Sequence, residues 1–315
     1  MSLPKQYLCY RAPSALVLDG KLDKPFWAKA PWTDAFVDIE GEEKPKPRFR
    51  TRTKMLWDDK CLYIGAELEE PHVWGTLTQR DSVIFHDNDF EVFLDPNGDG
   101  THYAELEINA LNTVWDLLLV RAYLAGGPAV NGWDIAGLRT AVHVDGSLND
   151  PSDTDKGWSL EIAIPWASIR DIAGCPCPPR DGDLWRINFS RVQWEHEVKD
   201  GKYGKVAGKG EDNWVWSPQG VVDMHRPEMW GVLQFSHHDH GPVPVHPIKG
   251  QKEREILAAV FDAQKDYQGQ HGRYAVSAAE LEIKTPGVKI QATAGTFEAT
   301  LGGQRIDSER RFRTA

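Results

Sequence analysis

The sequence predicts an all-β fold, an antiparallel two-sheet β-sandwich, and three observations lead there. From Leu16 to about Phe235 short runs alternate apolar and polar residues and are punctuated by Gly, Pro, Asp and Asn, as half-buried strands joined by turns do. There are eight or more such runs, enough strands for two packed sheets. No strand–helix–strand alternation interrupts them, and neither GxGxxG nor GxxxxGK[ST] is present to mark a phosphate loop.

In chain order the expected strands are Lys54–Trp57, Cys61–Leu68, Phe90–Leu94, Tyr103–Asn109, Leu138–Val144, Trp158–Ile164, Trp185–Arg191 and Gly231–Phe235. Residues 1–236 form the sandwich in this reading. Residues 237–250, SHHDHGPVPVHPIKG with its first serine removed, are rich in His and Pro and read as an extended, poorly packed linker. Residues 251–315 form an appendage. Within it Lys252–Tyr267 carries Ile256, Leu257, Val260 and Phe261 at helical spacing, an amphipathic helix whose stripe is expected to pack on the sandwich. Short strands at Val288–Ala292 and Thr296–Leu301 and a frayed, charged end follow.

With 315 residues, 41% of them hydrophobic, the chain has material for a substantial core. Its net charge of −11 and the lack of a basic footprint argue against a nucleic-acid partner, and against an anionic membrane surface for the same reason. No apolar run approaches the roughly 20 residues of a membrane span, and the MSLPKQY start has no apolar leader segment. The chain as given is therefore not expected to use a signal peptide, and localisation stays open. Cys9, Cys61, Cys175 and Cys177 lack the spacing of a disulfide framework or a zinc site, so all four are expected to be free. Thirteen tryptophans exceed the needs of a core this size, which places some of them against a ligand.

The stretch from Arg80 to Asp116 carries the strongest functional signal. In its first run Asn88, Phe90, Val92 and Leu94 share one face and Asp87, Asp89, Glu91 and Asp95 the other, because strand side chains alternate. In the second, Ala104, Leu106, Ile108 and Ala110 alternate with Tyr103, Glu105, Glu107 and Asn109. Pairing the runs gathers carboxylates on one sheet face, and like charges across strands are destabilising unless a cation, an arginine or a polar ligand offsets them. Arg80, Arg186 and Arg191 are the candidate arginines. The intervening DPNGDG turn places Asp95, Asn97 and Asp99 at alternate positions like the opening of a calcium loop, but position twelve is Leu106 and no helices flank it. A structural calcium ion at these three residues stands beside a plain Asn-Gly, Asp-Gly hairpin turn. Downstream, Arg191 and Trp194 close the run WRINFSRVQW, and His225 lies on a loop before the last strand.

Six segments in order, LDGKLDKPFW, KMLWDDKCLYIGAEL, DNDFEVFLDPNGDGTHYAELEIN, GWSLEIAIPW, WRINFSRVQW and WSPQGVVDMHRPEMWGVLQF, resemble the carbohydrate-binding module family 9-like domain, related to the DOMON-type sandwiches. The resemblance covers about Ala15–Phe235. It implies a β-sandwich, calcium ions that brace loops, and in sugar-binding members a slot with two tryptophans. The first slot tryptophan falls on Phe85 and the second near Met224 or His225. Glu91 and Asn109 match polar slot positions, and the slot arginine falls near Glu107.

The expected function is non-catalytic carbohydrate binding in support of polysaccharide or glycoside breakdown, with a saccharide partner. The expected site is Phe85, Asp89, Glu91, Asn109, Arg191, Trp194 and His225. The alternatives are a glycoside-processing enzyme using paired acids and a haem-binding DOMON-type redox module using Met224 and His225.

Overall fold

The computed structural model describes residues 3–314. Its strands are β1 (Gln6–Arg11), β2 (Val37–Asp38), β3 (Thr51–Trp57), β4 (Cys61–Glu69), β5 (Asp89–Asp95), β6 (Thr101–Asn109), β7 (Val114–Arg121), β8 (Ala129–Val130), β9 (Arg139–Asp145) and β10 (Gly157–Pro165). A short helix α1 (Trp166–Ala173) precedes β11 (Leu184–Gln193), β12 (His196–Lys199), β13 (Lys202–Lys205), β14 (Asp212–Val215) and β15 (Gly231–Phe235). Each expected strand is present, most of them longer by one to three residues.

One layer runs β8-β7-β6-β5-β11-β15-β1 and the other β1-β3-β4-β10-β9. Strand β1 belongs to both, pairing in parallel through Gln6–Cys9 with β15 and through Tyr10–Arg11 with β3. The two inner faces meet in a core that includes Phe90, Val92, Leu94, Leu106 and Ile108 from the hairpin, Trp185, Ile187 and Phe189 from β11, and Leu62, Ile64, Leu160 and Ile162 from the opposite layer. Phe90 stacks on Phe189 with centroids 5.7 Å apart. Alternation then turns Asp89, Glu91, Phe93, Glu105 and Glu107 to the outer face of the first layer.

The hairpin turn is built from side-chain to backbone bonds. Asp95 accepts from the amides of Gly98 and Gly100, Asp99 from Thr101, and Asn97 from Asp99. Gly98 and Gly100 have φ of 65° and 82°, a left-handed conformation that costs glycine little.

The C-terminal region departs from expectation in three ways. Helix α2 (Gln251–His271) does not lay its stripe on the sandwich; Leu257, Val260 and Phe261 pack on Phe297, Ala299, Ile306 and Phe312. Those residues belong to a separate sheet of β16 (Lys289–Ala292), β17 (Phe297–Leu301), β18 (Gln304–Asp307) and β19 (Phe312–Thr314), so the expected frayed end is ordered. The appendage has its own small core, against which Ala125 of the sandwich packs, and otherwise meets the sandwich through polar contacts. Arg310 pairs with Glu228 at 2.6 Å with both side chains 1% exposed, and the Phe312 amide donates to Asp99 O at 2.7 Å. The connecting residues 237–250 carry mostly exposed side chains, yet their backbone is tied down: Tyr10 and Gln6 donate to the carbonyls of Gly241 and His246, and Gln234 to that of Pro244. All four cysteines are free.

Candidate functional site

The β5–β6–β7 register decides what shares the outer face. Glu91 stands directly opposite Glu107, Glu107 opposite Trp115 on β7, and Glu91 opposite Ser190 on β11. This makes one row, Ser190, Glu91, Glu107, Trp115, across four adjacent strands. Two residues along the hairpin, on the same face, Phe93 is paired with Glu105. Above the row is a cavity of about 240 Å³ lined by Phe85, Glu91, Glu105, Glu107, Trp115, Tyr123, Glu211, Asn213 and the loop Val222–His225. Its rim is aromatic, with Tyr123 52% exposed and set edge-on to His225 at 4.5 Å. Its floor is acidic.

The floor is electrostatically unusual. Asp89, Glu91, Glu105 and Glu107 are all buried, and ligating oxygens of Asp89, Glu91 and Glu107 lie within 4.8 Å of one another. Burial pushes Glu91 up to about 7, with Glu211 adding to the rise. Burial, then the neighbouring acids, pushes Asp89, Glu105 and Glu107 well above the usual carboxylate range. Among the described residues no lysine or arginine lines the cavity.

The three arginines expected to neutralise these acids are all committed elsewhere. Arg80 pairs with Asp116 and, at 2.9 Å, with Asp134. Arg186 donates to Trp230 O and Gln251 Oε1. Arg191 lies on the opposite face of β11 from Ser190 and spans the layers to Glu70 at 3.0 Å and to Thr51.

Of the expected site residues, Phe85, Glu91 and His225 line the cleft, and Asp89 lies beneath it. Phe85 is held by its amide, which donates to Glu107 Oε2 at 2.9 Å, and by its carbonyl, which accepts from the Trp194 indole at 2.9 Å. His225 shares a 2.8 Å hydrogen bond between Nδ1 and the Tyr103 hydroxyl, and burial lowers it to about 4. It is therefore neutral near pH 7. Three expectations need correction. Arg191 is an interior ion-pair residue. Asn109 closes the β6–β7 turn, donating to Leu77 O and Asp87 Oδ2 and accepting from Leu111 and Thr113, so it has no free group for a ligand. Trp194 buttresses Phe85 from behind and is itself covered by Lys205, whose Nζ is 3.5 Å from the ring centroid. The aromatic residues at the cleft that sequence reasoning missed are Phe93, Trp115 and Tyr123.

The calcium expected at Asp95, Asn97 and Asp99 meets an arrangement that does not fit it. Both Asp95 oxygens and Asn97 Oδ1 accept backbone amides, Asp99 Oδ1 accepts from Thr101, and Asp99 Oδ2 accepts from Asn97 and, at 2.9 Å, from Arg311. No side-chain oxygen of the trio is left over, and Arg311 supplies the positive charge.

A family model, carbohydrate family 9 binding domain-like, matches residues 18–177, half of the chain. The chain belongs to that family. This family 9 module is similar to parts of much longer enzymes. It is 28% identical over 158 residues, 50% of this chain and 12% of the relative, to exoglucanase XynX of Acetivibrio thermocellus. It is 35% identical over 89 residues, 28% of this chain and 7% of the relative, to endo-1,4-beta-xylanase C of Paenibacillus barcinonensis. The fold is shared with a crystal structure of a Bacteroides uniformis protein assigned to carbohydrate binding, at 16% identity and a TM-score of 0.53 over 74% of this chain and 99% of that one. A family 9 module of Caldicellulosiruptor kristjanssonii in complex with cellotriose has 17% identity over 77% of this chain and 100% of that one, with a TM-score of 0.48.

Proposed function

We propose that this module binds a saccharide without cleaving it, in the cleft between β5, β6 and the Val222–His225 loop, and supports polysaccharide breakdown. The observation that carries the reading is the joining of an aromatic rim, Phe85, Trp115, Tyr123 and His225, to a carboxyl floor in one cavity. Flat rings cover the apolar C–H faces of a sugar, and carboxyl groups bond its hydroxyls. Family membership and the likeness to segments of a xylanase and an exoglucanase support the same ligand class.

The floor is poorly suited to glycoside hydrolysis. Glu91 and Glu107 are cross-strand neighbours with oxygens inside 4.8 Å. That is too close for the about 6.5–9.5 Å of an inverting pair and near the about 5–5.5 Å of a retaining one, so what disfavours a retaining pair is electrostatic. All the floor acids also share one burial-driven upward shift. An acid–base pair instead requires two environments that push the values apart.

The test is a titration of cello- and xylo-oligosaccharides followed by tryptophan fluorescence, with product analysis of the same mixtures. Saturable quenching without cleavage is the expected result. Turnover that disappears in a folded Glu91→Gln protein overturns the non-catalytic reading, and the absence of any saccharide response across a glycan array overturns the binding one.

A further inference from the structure

We infer that the cleft floor is a binding site for a hard divalent cation of the calcium class, held by Asp89, Glu91 and Glu107. The gathering of acids is only the first observation. The second is that two buried carboxylate oxygens there, Asp89 Oδ2 and Glu105 Oε2, have no hydrogen-bond partner. Buried polar atoms in folded proteins are almost always satisfied, so an unpartnered pair in one cluster points to a missing ligand of positive charge.

The geometry fits an ion. Calcium takes oxygens at about 2.3–2.6 Å, so ligands on one ion lie within roughly 5 Å of each other. The three oxygens here meet that bound at 4.8 Å. The nearby side chains offer oxygen donors and no thiol, and the only imidazole of the cleft, that of His225, is engaged by Tyr103. An all-oxygen set selects calcium, magnesium or manganese over zinc or copper. The other carboxylate trio, Asp81, Asp116 and Asp134, differs because Arg80 pairs with all three of its members. The hairpin turn differs because its oxygens are already bonded. The floor alone combines converging oxygens, burial and no cation of its own among the described residues.

The ion has a route to the rim. Glu107 Oε2 accepts the Phe85 amide, so fixing Glu107 also fixes the turn Ile84–His86 that carries Phe85. The assignment concerns the floor and stands whether or not a saccharide binds above it.

The experiment uses the full chain after chelator treatment and dialysis. Calcium chloride is titrated by calorimetry, terbium by luminescence sensitised through Trp115, and melting is followed with and without EDTA. One saturable site per chain, terbium emission displaced by calcium, and a melting temperature raised by calcium are expected. Glu107→Gln and Asp89→Asn should each weaken calcium at least tenfold while melting no earlier than the parent protein in EDTA, since each removes repulsion. Asp99→Asn should bind calcium as the parent does. Calcium heat that persists in Glu107→Gln and vanishes in Asp99→Asn would move the site to the turn and overturn the assignment. Neither heat nor emission in the parent at millimolar ion would overturn it outright. So would glucosamine hydrochloride binding that needs Glu107 in a protein that ignores calcium, which identifies an ammonium ligand instead.

Discussion

Arg191 Nη2 reaches Glu70 Oε2 at 3.0 Å, from β11 in one layer to the end of β4 in the other, with the two side chains 1% and 2% exposed. Burial pulls Arg191 down to about 10 while Glu70 opposes the fall. Its Nη1 also holds Thr51 Oγ1 and Glu69 O. The pair fixes how the sheets are stacked beside the cleft.

Replacing Arg191 by Leu leaves Glu70 as an uncompensated buried charge, which typically costs about 3–5 kcal/mol. Urea denaturation of Arg191→Leu should show a loss of that size. The double variant Arg191→Leu/Glu70→Leu should recover much of it. Equal saccharide affinity of any folded Arg191 variant and the parent is expected, because the guanidinium faces away from the cleft.

Trp115 is the half-buried indole at the end of the carboxyl row. Trp115→Ala should reduce saccharide affinity several-fold, in line with the roughly 0.5–1.5 kcal/mol of an aromatic contact, and should remove most of the ligand-induced quenching. Its melting temperature should fall only slightly. Trp194→Ala should act differently, loosening Phe85 and lowering stability, because its indole bonds the Phe85 carbonyl.

His225 titrates at about 4 in the folded protein against an ordinary value near 6.5. It is packed among Tyr103, Tyr123 and Phe93, and the Asp223 charge opposes the fall. Between those two values the unfolded chain binds a proton that the folded chain does not, so this residue's contribution falls as pH falls, by up to roughly 1.4 kcal/mol per pH unit. Above about pH 6.5 it has no slope. Denaturation of the parent and His225→Gln at pH 7, 6 and 5 should show the gap between them changing in that direction. The floor acids titrate in both proteins, so their opposing slope is present on both sides of the comparison.

Arg310 of the appendage pairs with Glu228 of the sandwich, and Arg226 of the sandwich pairs with Asp262 on α2, which Arg310 also holds. Arg310→Met should loosen the C-terminal region, which Arg311–Asp99 and Arg186–Gln251 still hold, while the sandwich is unaffected. The expected signature is faster amide exchange in α2 and in the hairpin turn, whose Asp99 carbonyl accepts from Phe312, with protection on β4 and β10 unchanged.

The faces of β5 and β6 were legible from alternation alone, and with them the acidic floor. Phe85 and His225 were placed at the cleft by resemblance to the family's slot. What alternation within one strand does not contain is register between strands, so Trp115, level with Glu107 on the next strand, escaped notice. Arg191 was misplaced although the needed signal was present: it shares odd parity with Trp185, Ile187 and Phe189, the core side of the same run. The helix α2 was legible as amphipathic, but its partner strands near Gln304 and Phe312 are short and interrupted by charged residues, which hid the second core.

Strand β1 is shared by both layers, and β11 and β15 lie between it and β5. The matched family segment, residues 18–177, therefore omits the middle of one sheet and the seam between the two. Expressed alone, that segment would present β5 as a bare edge lined by unpaired backbone groups, a template for self-association. During synthesis the same gap exists in time: β5 and β6 are made long before β11, and β1 has no partner in its first sheet until Gly231–Phe235 appear. This protein must keep an open hairpin out of trouble while it waits for its own second half, and the charges along that hairpin's outer face are well suited to doing so.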